Sequence, residues 1–332
     1  MAPQIVRWGI LATGGICQTF TKDLLIDPKT RNVEDVRHVV SAVASSSSLE
    51  HAQKFVSGLV VGNQGDIPCE PYGSYEDLVK DSNVDIVYVG TPHSHHYQNC
   101  RLALEHNKAV VCEKPLTTNA RQAQILYDEA KNRNLFFMEA AWTRFFPLSS
   151  SVRAMIQLSE IGEIVRVQAD LSIGEVPEVE YPDPSFRLLN MDLAGGVLLD
   201  LGPYNLLWLY QTIYHTQPTE LKRDPEVVGA VMEKYFTGTD VTTSMLLRFP
   251  NSAPEGKWGA HGIGTSSMRA QSDFERKTSK ASPCVRIYGQ DGEIQIFGTS
   301  YRPTRLRVVY RDEEKRSRDE TFDFPGGTHG MS

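Results

Sequence analysis

The segment Val110-Val111-Cys112-Glu113-Lys114-Pro115 carries an apolar run straight into a charged pair and a proline. In open parallel sheets ligands bind outside the carboxyl ends of the strands, so the exits of the other apolar runs bear on this one. Ile5–Leu11 leaves into Ala12-Thr13-Gly14-Gly15-Ile16-Cys17. Ala12, Gly14 and Cys17 fill the three small-residue positions of a G-x-G-x-x-G fingerprint, with one true glycine. A pyrophosphate requires a tight turn, close backbone approach and a helix N-terminus aimed at it. A plain Gly-Gly turn between a strand and a helix accounts for the same residues, and the motif alone does not choose.

His38–Ala44 leaves into Ser45-Ser46-Ser47-Ser48, where an NAD enzyme usually carries an acid for the ribose 2′-hydroxyl. Hydroxyls and backbone N–H groups receive a 2′-phosphate without repulsion, which favours NADP, although any one of these serines also reads as a helix N-cap. Ile86–Gly90 leaves into Thr91-Pro92-His93-Ser94-His95-His96. Three histidines in four residues suggest a metal, yet no paired cysteine or acid joins them at a recognised spacing, and the favoured reading has none. In that reading Pro92 shapes a loop beneath a nicotinamide ring, one histidine (His95) reaches ribose or substrate, and the others cap and solvate the next helix. A lone lysine at a turn is ordinarily just solvated. Gly14, Ser45, Thr91 and Lys114 projecting from one sheet edge make a cofactor crevice the more economical account of Lys114.

The elements that would position these residues alternate through the first half. Candidate strands are Ile5–Leu11, His38–Ala44, Ile86–Gly90, Ala109–Cys112 and Leu135–Met138, with amphipathic stretches between them. The clearest helix follows Thr117 and Thr118, either of which can cap it, and closes on basic residues. Beyond Trp142 the pattern becomes alternating strands and Gly-containing turns, with a strong hairpin signal at Tyr288–Ile296 and one buried helix around Gly202–His215. The expected fold class is α/β: a doubly wound, Rossmann-type parallel sheet over residues 1–141, then an α+β domain with a largely antiparallel open sheet over 142–332.

The 332 residues suit two such domains. A net charge of −7 without a basic block argues against nucleic acid. No apolar run approaches the roughly 18 residues that cross a bilayer, and no secretory leader is evident, so no membrane partner is expected. Five cysteines without motif spacing suit reduced thiols and a cytoplasmic protein.

Taken together, "GILATGGI", "TPHSHH", "EKPLT", "MEAAWTRF" and "DLAGGVLLDLGPY" resemble the glucose-fructose oxidoreductase / inositol dehydrogenase (Gfo/Idh/MocA) family, over about residue 4 to the end. Within it they are most similar to the branch of fungal NADP-dependent D-xylose dehydrogenases and dimeric trans-dihydrodiol dehydrogenases. The resemblance implies NADP-dependent oxidation of D-xylose at C1 to xylonolactone. The alternatives are a dihydrodiol dehydrogenase using the same residues, or a catalytically silent NADP-binding regulator. It places the chemistry on Lys114 and Tyr204, Tyr204 being general base and Lys114 stabilising the phenolate. Asp200 either fixes substrate or lysine, or serves as the cap that a turn and Pro203 require.

By the same resemblance Trp142 and Arg144 lie near cofactor and substrate. Glu113 holds a loop or a ribose hydroxyl, Trp208 is core, and a homodimer forms through the exposed face of the second sheet. The cofactor set is then Ala12, Thr13, Gly14, Gly15, Ile16, Ser45, Ser46, Thr91, Pro92, His95, Glu113, Lys114, Trp142 and Arg144. Two departures from the family pattern stand out: a longer hairpin loop at residues 251–261, and a chain stopping after His329-Gly330-Met331, short of a further helical segment.

Overall fold

The computed structural model describes residues 3–250, 259–275 and 280–323. The expected ending at His329–Met331 and residues 251–258 of the expected long loop lie outside them. The described residues divide into two compact units, one reaching Trp142 and the other starting at Thr143.

The first unit is a six-stranded sheet of β1 (Gln4–Leu11), β2 (Val36–Ala44), β3 (Glu70–Tyr72), β4 (Ile86–Val89), β5 (Ala109–Cys112) and β6 (Phe137–Glu139), in the order β3-β2-β1-β4-β5-β6. Every pairing is parallel. The helices are α1 (Gly15–Leu24), α2 (Leu49–Phe55), α3 (Tyr75–Lys80), α4 (His96–Glu105) and α5 (Ala120–Asn132). Alternation along the strands sends Ile10, Val43, Tyr88 and Val111 into one apolar layer with Phe20 of α1 and Phe55 of α2, and Leu11, Ala44, Val89 and Cys112 into another with Leu104 of α4 and Leu126 of α5. Burial on both faces explains why these strands read as near-continuous apolar runs.

Three sequence expectations shift. β3 was not anticipated: it is a three-residue edge strand containing Pro71, where the missing N–H costs no ladder bond. The last strand of this sheet begins at Phe137, because Leu135 N–H still bonds Ala130 O at the end of α5. The cap of α5 is neither Thr117 nor Thr118 but Asn119, whose side chain accepts from Gln122 N–H at 3.0 Å, while Thr117 Oγ1 donates to Asn119 O.

The second unit contains β7 (Ile164–Ser172), β8 (Glu226–Lys234), β9 (Asp240–Phe249), β10 (Ala260–Ser267), β11 (Pro283–Gly289), β12 (Gly292–Thr299), β13 (Arg302–Tyr310) and β14 (Arg318–Thr321). Their order is β14-β13-β12-β11-β7-β10-β9-β8, antiparallel except where β10 runs parallel to β7. The expected hairpin is β11–β12. Helices α6 (Pro147–Gln157), α7 (Pro177–Glu180), α8 (Val197–Asp200) and α9 (Gly202–Leu209) accompany the sheet, three more than the single buried helix expected.

Ala260 and His261 do not belong to a loop, as expected, but begin β10. That strand is masked in the sequence by two glycines that its neighbours require. A Cβ on Gly262 would stand 2.9 Å from both Leu209 Cδ1 and Phe249 Cε2, and one on Gly264 would stand 3.1 Å from Met245 Cγ. Glycine here is a packing device rather than a turn. Gly262→Val should therefore lower the free energy of unfolding by about 1–3 kcal/mol through overpacking, read from urea denaturation.

Candidate active site

The strand exits of the first unit do come together along one sheet edge, and each has its own local physics. After β1 the backbone of Ala12 turns at φ 86°, a region glycine enters without penalty and alanine does not. Gly14 caps α1 at φ −68° with no side-chain cap bond, and Cβ atoms built on Gly14 or Gly15 meet nothing within 4 Å. Neither backbone geometry nor packing requires glycine at these two positions. The space left open beside the first N–H groups of α1 is what close approach of a dinucleotide pyrophosphate would need.

The third fingerprint position works by displacement. Cys17 is fully buried, its Sγ lies 3.6 Å from the carbonyls of Leu11 and Gly90, and a Cβ on Gly90 would fall 2.4 Å from that sulfur. The glycine that would allow close helix–strand packing stands on the facing residue instead. Thr13 O accepts from Gln18 Nε2, and Ile16 is exposed on the first turn of α1.

The serine run divides its labour. Ser48 is the N-cap of α2, accepting from His51 N–H. Ser45 is buried and its Oγ lies 2.9 Å from Ser47 Oγ, which in turn lies 2.8 Å from His51 Nδ1. Ser46 is exposed and donates to the Tyr75 hydroxyl at 3.3 Å. His51 and Tyr75 therefore join this exit, though neither was singled out from the sequence; an N-cap-to-third-residue spacing was the only available signal for His51.

At the next exit Thr91 Oγ1 accepts from Asn99 Nδ2, and Pro92 precedes a single 3-10 turn over His93–His95. The three histidines do not share one setting: His93 is buried with its ring 5.8 Å from that of His96, so neither of these two solvates the next helix as expected. His95 is exposed against Ser94 Oγ, while His96 is buried, with Nδ1 2.8 Å from Pro115 O and Nε2 2.8 Å from Thr91 O. Burial lowers the His96 pKa to about 4 despite the two carbonyls that favour its protonation.

The Glu113-Lys114-Pro115-Leu116 loop is held from three directions. Tyr88 Oη, stacked against Phe20 at 3.8 Å between centroids, donates to Glu113 Oε1 at 2.6 Å, and Glu113 Oε2 accepts from Lys114 N–H. Leu116 N–H donates to Glu139 Oε1 at 2.8 Å, and His96 meets Pro115 O. The Lys114–Pro115 peptide is cis, and the half-buried Lys114 side chain leaves from the centre of this brace. Glu113, a candidate ribose ligand, is turned inward at 5% exposure onto Tyr88. Burial raises the Glu139 pKa, partly opposed by the Leu116 N–H and the Lys114 charge. Tyr88 and Glu139 were not assigned roles from the sequence, and His96, expected to cap and solvate the next helix, is instead buried against this loop; the bonds of the three to the loop span 19 to 25 residues, beyond any local pattern.

In the second unit Tyr204 sits in α9, nearly buried, its ring 5.6 Å from that of Tyr301. Asn205 Nδ2 pins α9 to β10 through Thr265 O and Ser266 Oγ, and Trp208, a core residue as expected, donates to Ser300 O. Asp200 is no cap: the N-cap position of α9 is Leu201 without a side-chain bond, and the Asp200 carboxylate pairs with the Arg187 guanidinium at 3.1 and 3.4 Å. Trp142, half-buried, ends the first unit. Arg144 belongs to the second, its carbonyl accepting from Arg153. Among the described residues no group of three or more His, Cys, Asp or Glu could hold a metal, and no helix is long and apolar enough to cross a membrane.

Two family models match the chain: an oxidoreductase family with an NAD-binding Rossmann fold over residues 6–140, and a GFO/IDH/MocA C-terminal domain over 150–295. The chain is 47% identical to a D-xylose 1-dehydrogenase (NADP(+)) of Hypocrea jecorina, across 99% of itself and 82% of that protein. It is 36% identical to a trans-1,2-dihydrobenzene-1,2-diol dehydrogenase of Sus scrofa, across 97% of itself and 84% of the relative. A crystal structure of a 3-ketoreductase from Actinomadura kijaniata with NADP and TDP-benzene shares the fold, with a TM-score of 0.72, 23% identity and coverage of 99% of this chain and 86% of that one.

The raised carboxyl of Glu139 has a consequence for stability. A carboxyl that holds its proton more tightly when folded contributes stability at low pH that is lost as pH rises through the folded value. Glu139→Gln keeps an acceptor for Leu116 N–H without that loss, so its stability relative to the parent should increase from pH 4 to pH 7.5 in paired denaturation curves.

Proposed function

We propose, from the premise that the chain belongs to the GFO/IDH/MocA oxidoreductase family, that it oxidises D-xylose at C1 to D-xylonolactone with NADP. The observation that carries this reading is the near-full-length match to a D-xylose 1-dehydrogenase in a chain that keeps Lys114 in a braced loop and Tyr204 on an anchored helix. NADP, when bound, supplies a hydride acceptor at nicotinamide C4. Gly14 and Gly15 with the α1 N-terminus would hold its pyrophosphate, and Ser45 and Ser46 its 2′-phosphate. Ala12, Thr13, Ile16, Thr91, Pro92, His95, Trp142 and Arg144 are proposed to complete the cofactor set, with Glu113 acting through Lys114 rather than on ribose.

Tyr204 takes the C1 hydroxyl proton while the C1–H bond gives up its electron pair, leaving the lactone carbonyl. A phenol with an ordinary pKa of about 10 is a weak base at neutral pH, and a neighbouring ammonium lowers that value. Lys114 is the cation proposed for this role. Asp200, fixed by Arg187, is proposed to orient substrate. A cytoplasmic location is proposed from the five cysteines, whose number and spacing do not form a disulfide framework. A homodimer is proposed through the outward face of the second sheet.

NADP reduction with D-xylose, D-glucose and a trans-dihydrodiol tests the reading. The xylose reaction should dominate, and Tyr204→Phe should lower kcat by about 10²–10⁴-fold, the usual worth of general-base catalysis. Faster turnover of the diol would move the substrate to the other relatives' chemistry. NADP binding without turnover of any substrate would favour the silent regulator. Ser46→Asp should lower kcat/KM for NADP by at least about tenfold and spare NAD, because a carboxylate there repels a 2′-phosphate; equal effects on both cofactors would remove the serine run from the site.

A further inference from the structure

The two carbonyls facing His96 carry an inference beyond the acid–base pair. Carbonyl oxygens only accept, so Thr91 O and Pro115 O, each 2.8 Å from a ring nitrogen, both call for an N–H. The ring is fully buried. The titratable groups acting on it are Lys114, from the loop, and His93, from the turn before α4, and a positive charge on either opposes one on the ring. At neutral pH the ring therefore carries one N–H for two carbonyls. Thr91 has a second tether in Asn99, whereas the carbonyl of Pro115 follows directly on Lys114.

We propose that His96 is a positioning residue for Lys114, acting through an Nδ1–H bond to Pro115 O that fixes the loop from which the lysine side chain departs. Its kinetic consequence rests on the reading of Lys114 as the cation that lowers the Tyr204 pKa. A displaced ammonium would leave the phenol less acidic and move the acidic limb of the kcat profile to higher pH.

The side chains of asparagine and glutamine separate the two arms. An asparagine amide nitrogen stands in for Nδ1 and keeps the bond to Pro115 O; a glutamine amide nitrogen stands in for Nε2 and reaches only Thr91 O. His96→Gln should lower kcat by about 10–100-fold, the scale of a misplacement near 1 Å, with a basic shift of the acidic limb, while His96→Asn should stay within about threefold of the parent. A purely structural histidine predicts similar losses of thermal stability in both variants and no pH shift.

The second readout is independent of activity: lysines are reductively methylated with ¹³C-formaldehyde and the Lys114 signal is identified by its loss in Lys114→Arg. That signal should move in chemical shift and titration in His96→Gln but not in His96→Asn. An unmoved Lys114 signal in His96→Gln, or the reverse ranking of the two variants, would overturn the proposal. If the signal moves while Lys114→Ala leaves the kcat profile unshifted, the positioning role stands and the reading of Lys114 as the phenol's cation falls.

Discussion

Everything proposed for this protein depends on holding one ammonium group at the end of a strand. β5 delivers Lys114 to the sheet edge, but a strand end is ordinarily a place of loose backbone and solvated side chains. The first unit counters this with three bonds from three other elements: Tyr88 of β4 to Glu113, Glu139 of β6 to Leu116, and His96 of α4 to Pro115. The Tyr88 and His96 bonds are buried, so a lost partner there leaves a polar group without water, which costs about 1–3 kcal/mol; the Glu139 bond is part-buried. The same burial that makes the brace expensive to break raises the Tyr88 phenol and the Glu139 carboxyl and lowers His96. A loop fixed in this way presents a charge with little reorganisation, which is what electrostatic catalysis requires of its scaffold.

The sequence exposed the layout of this unit because its signals are local. β-branched runs, small residues at turns and a polar residue at each strand exit lie next to one another in the chain. The brace was not legible, since Tyr88, His96 and Glu139 look like a core tyrosine, a helix-start histidine and a strand-end acid until the fold brings their partners across. Cys17 shows the same limit in another form. It departs from the glycine fingerprint, and only the structure reveals that Gly90 makes the space from the opposite side. Local patterns state what a residue is, while tertiary pairing decides which of two partners must be small.

The second unit repeats this lesson. Its alternating strands were readable, but β10 was hidden by Gly262 and Gly264, residues present because α9 and β9 pack closely against that strand. Asp200 was ambiguous because Asp, Gly and Pro before a helix satisfy capping statistics. Leu201, without a side-chain bond, takes the N-cap position of α9, and the Arg187 pair holds the Asp200 carboxylate in place beside that helix. Tyr204 itself carries no local signal of chemistry; its helix is apolar nearly all round, so a buried tyrosine reads as core. Its proposed role came from the family resemblance, and the structure contributes the anchoring of its helix through Asn205 and Trp208.

The central claim is that Lys114 and Tyr204 serve one proton transfer. A double-mutant cycle on kcat/KM for xylose oxidation, with Lys114→Ala, Tyr204→Phe and the pair combined, tests it most directly. Residues acting as a unit are strongly non-additive, so the double variant should lose little more than the worse single variant. Losses that multiply across the two positions would show that the residues act independently and would contradict the account.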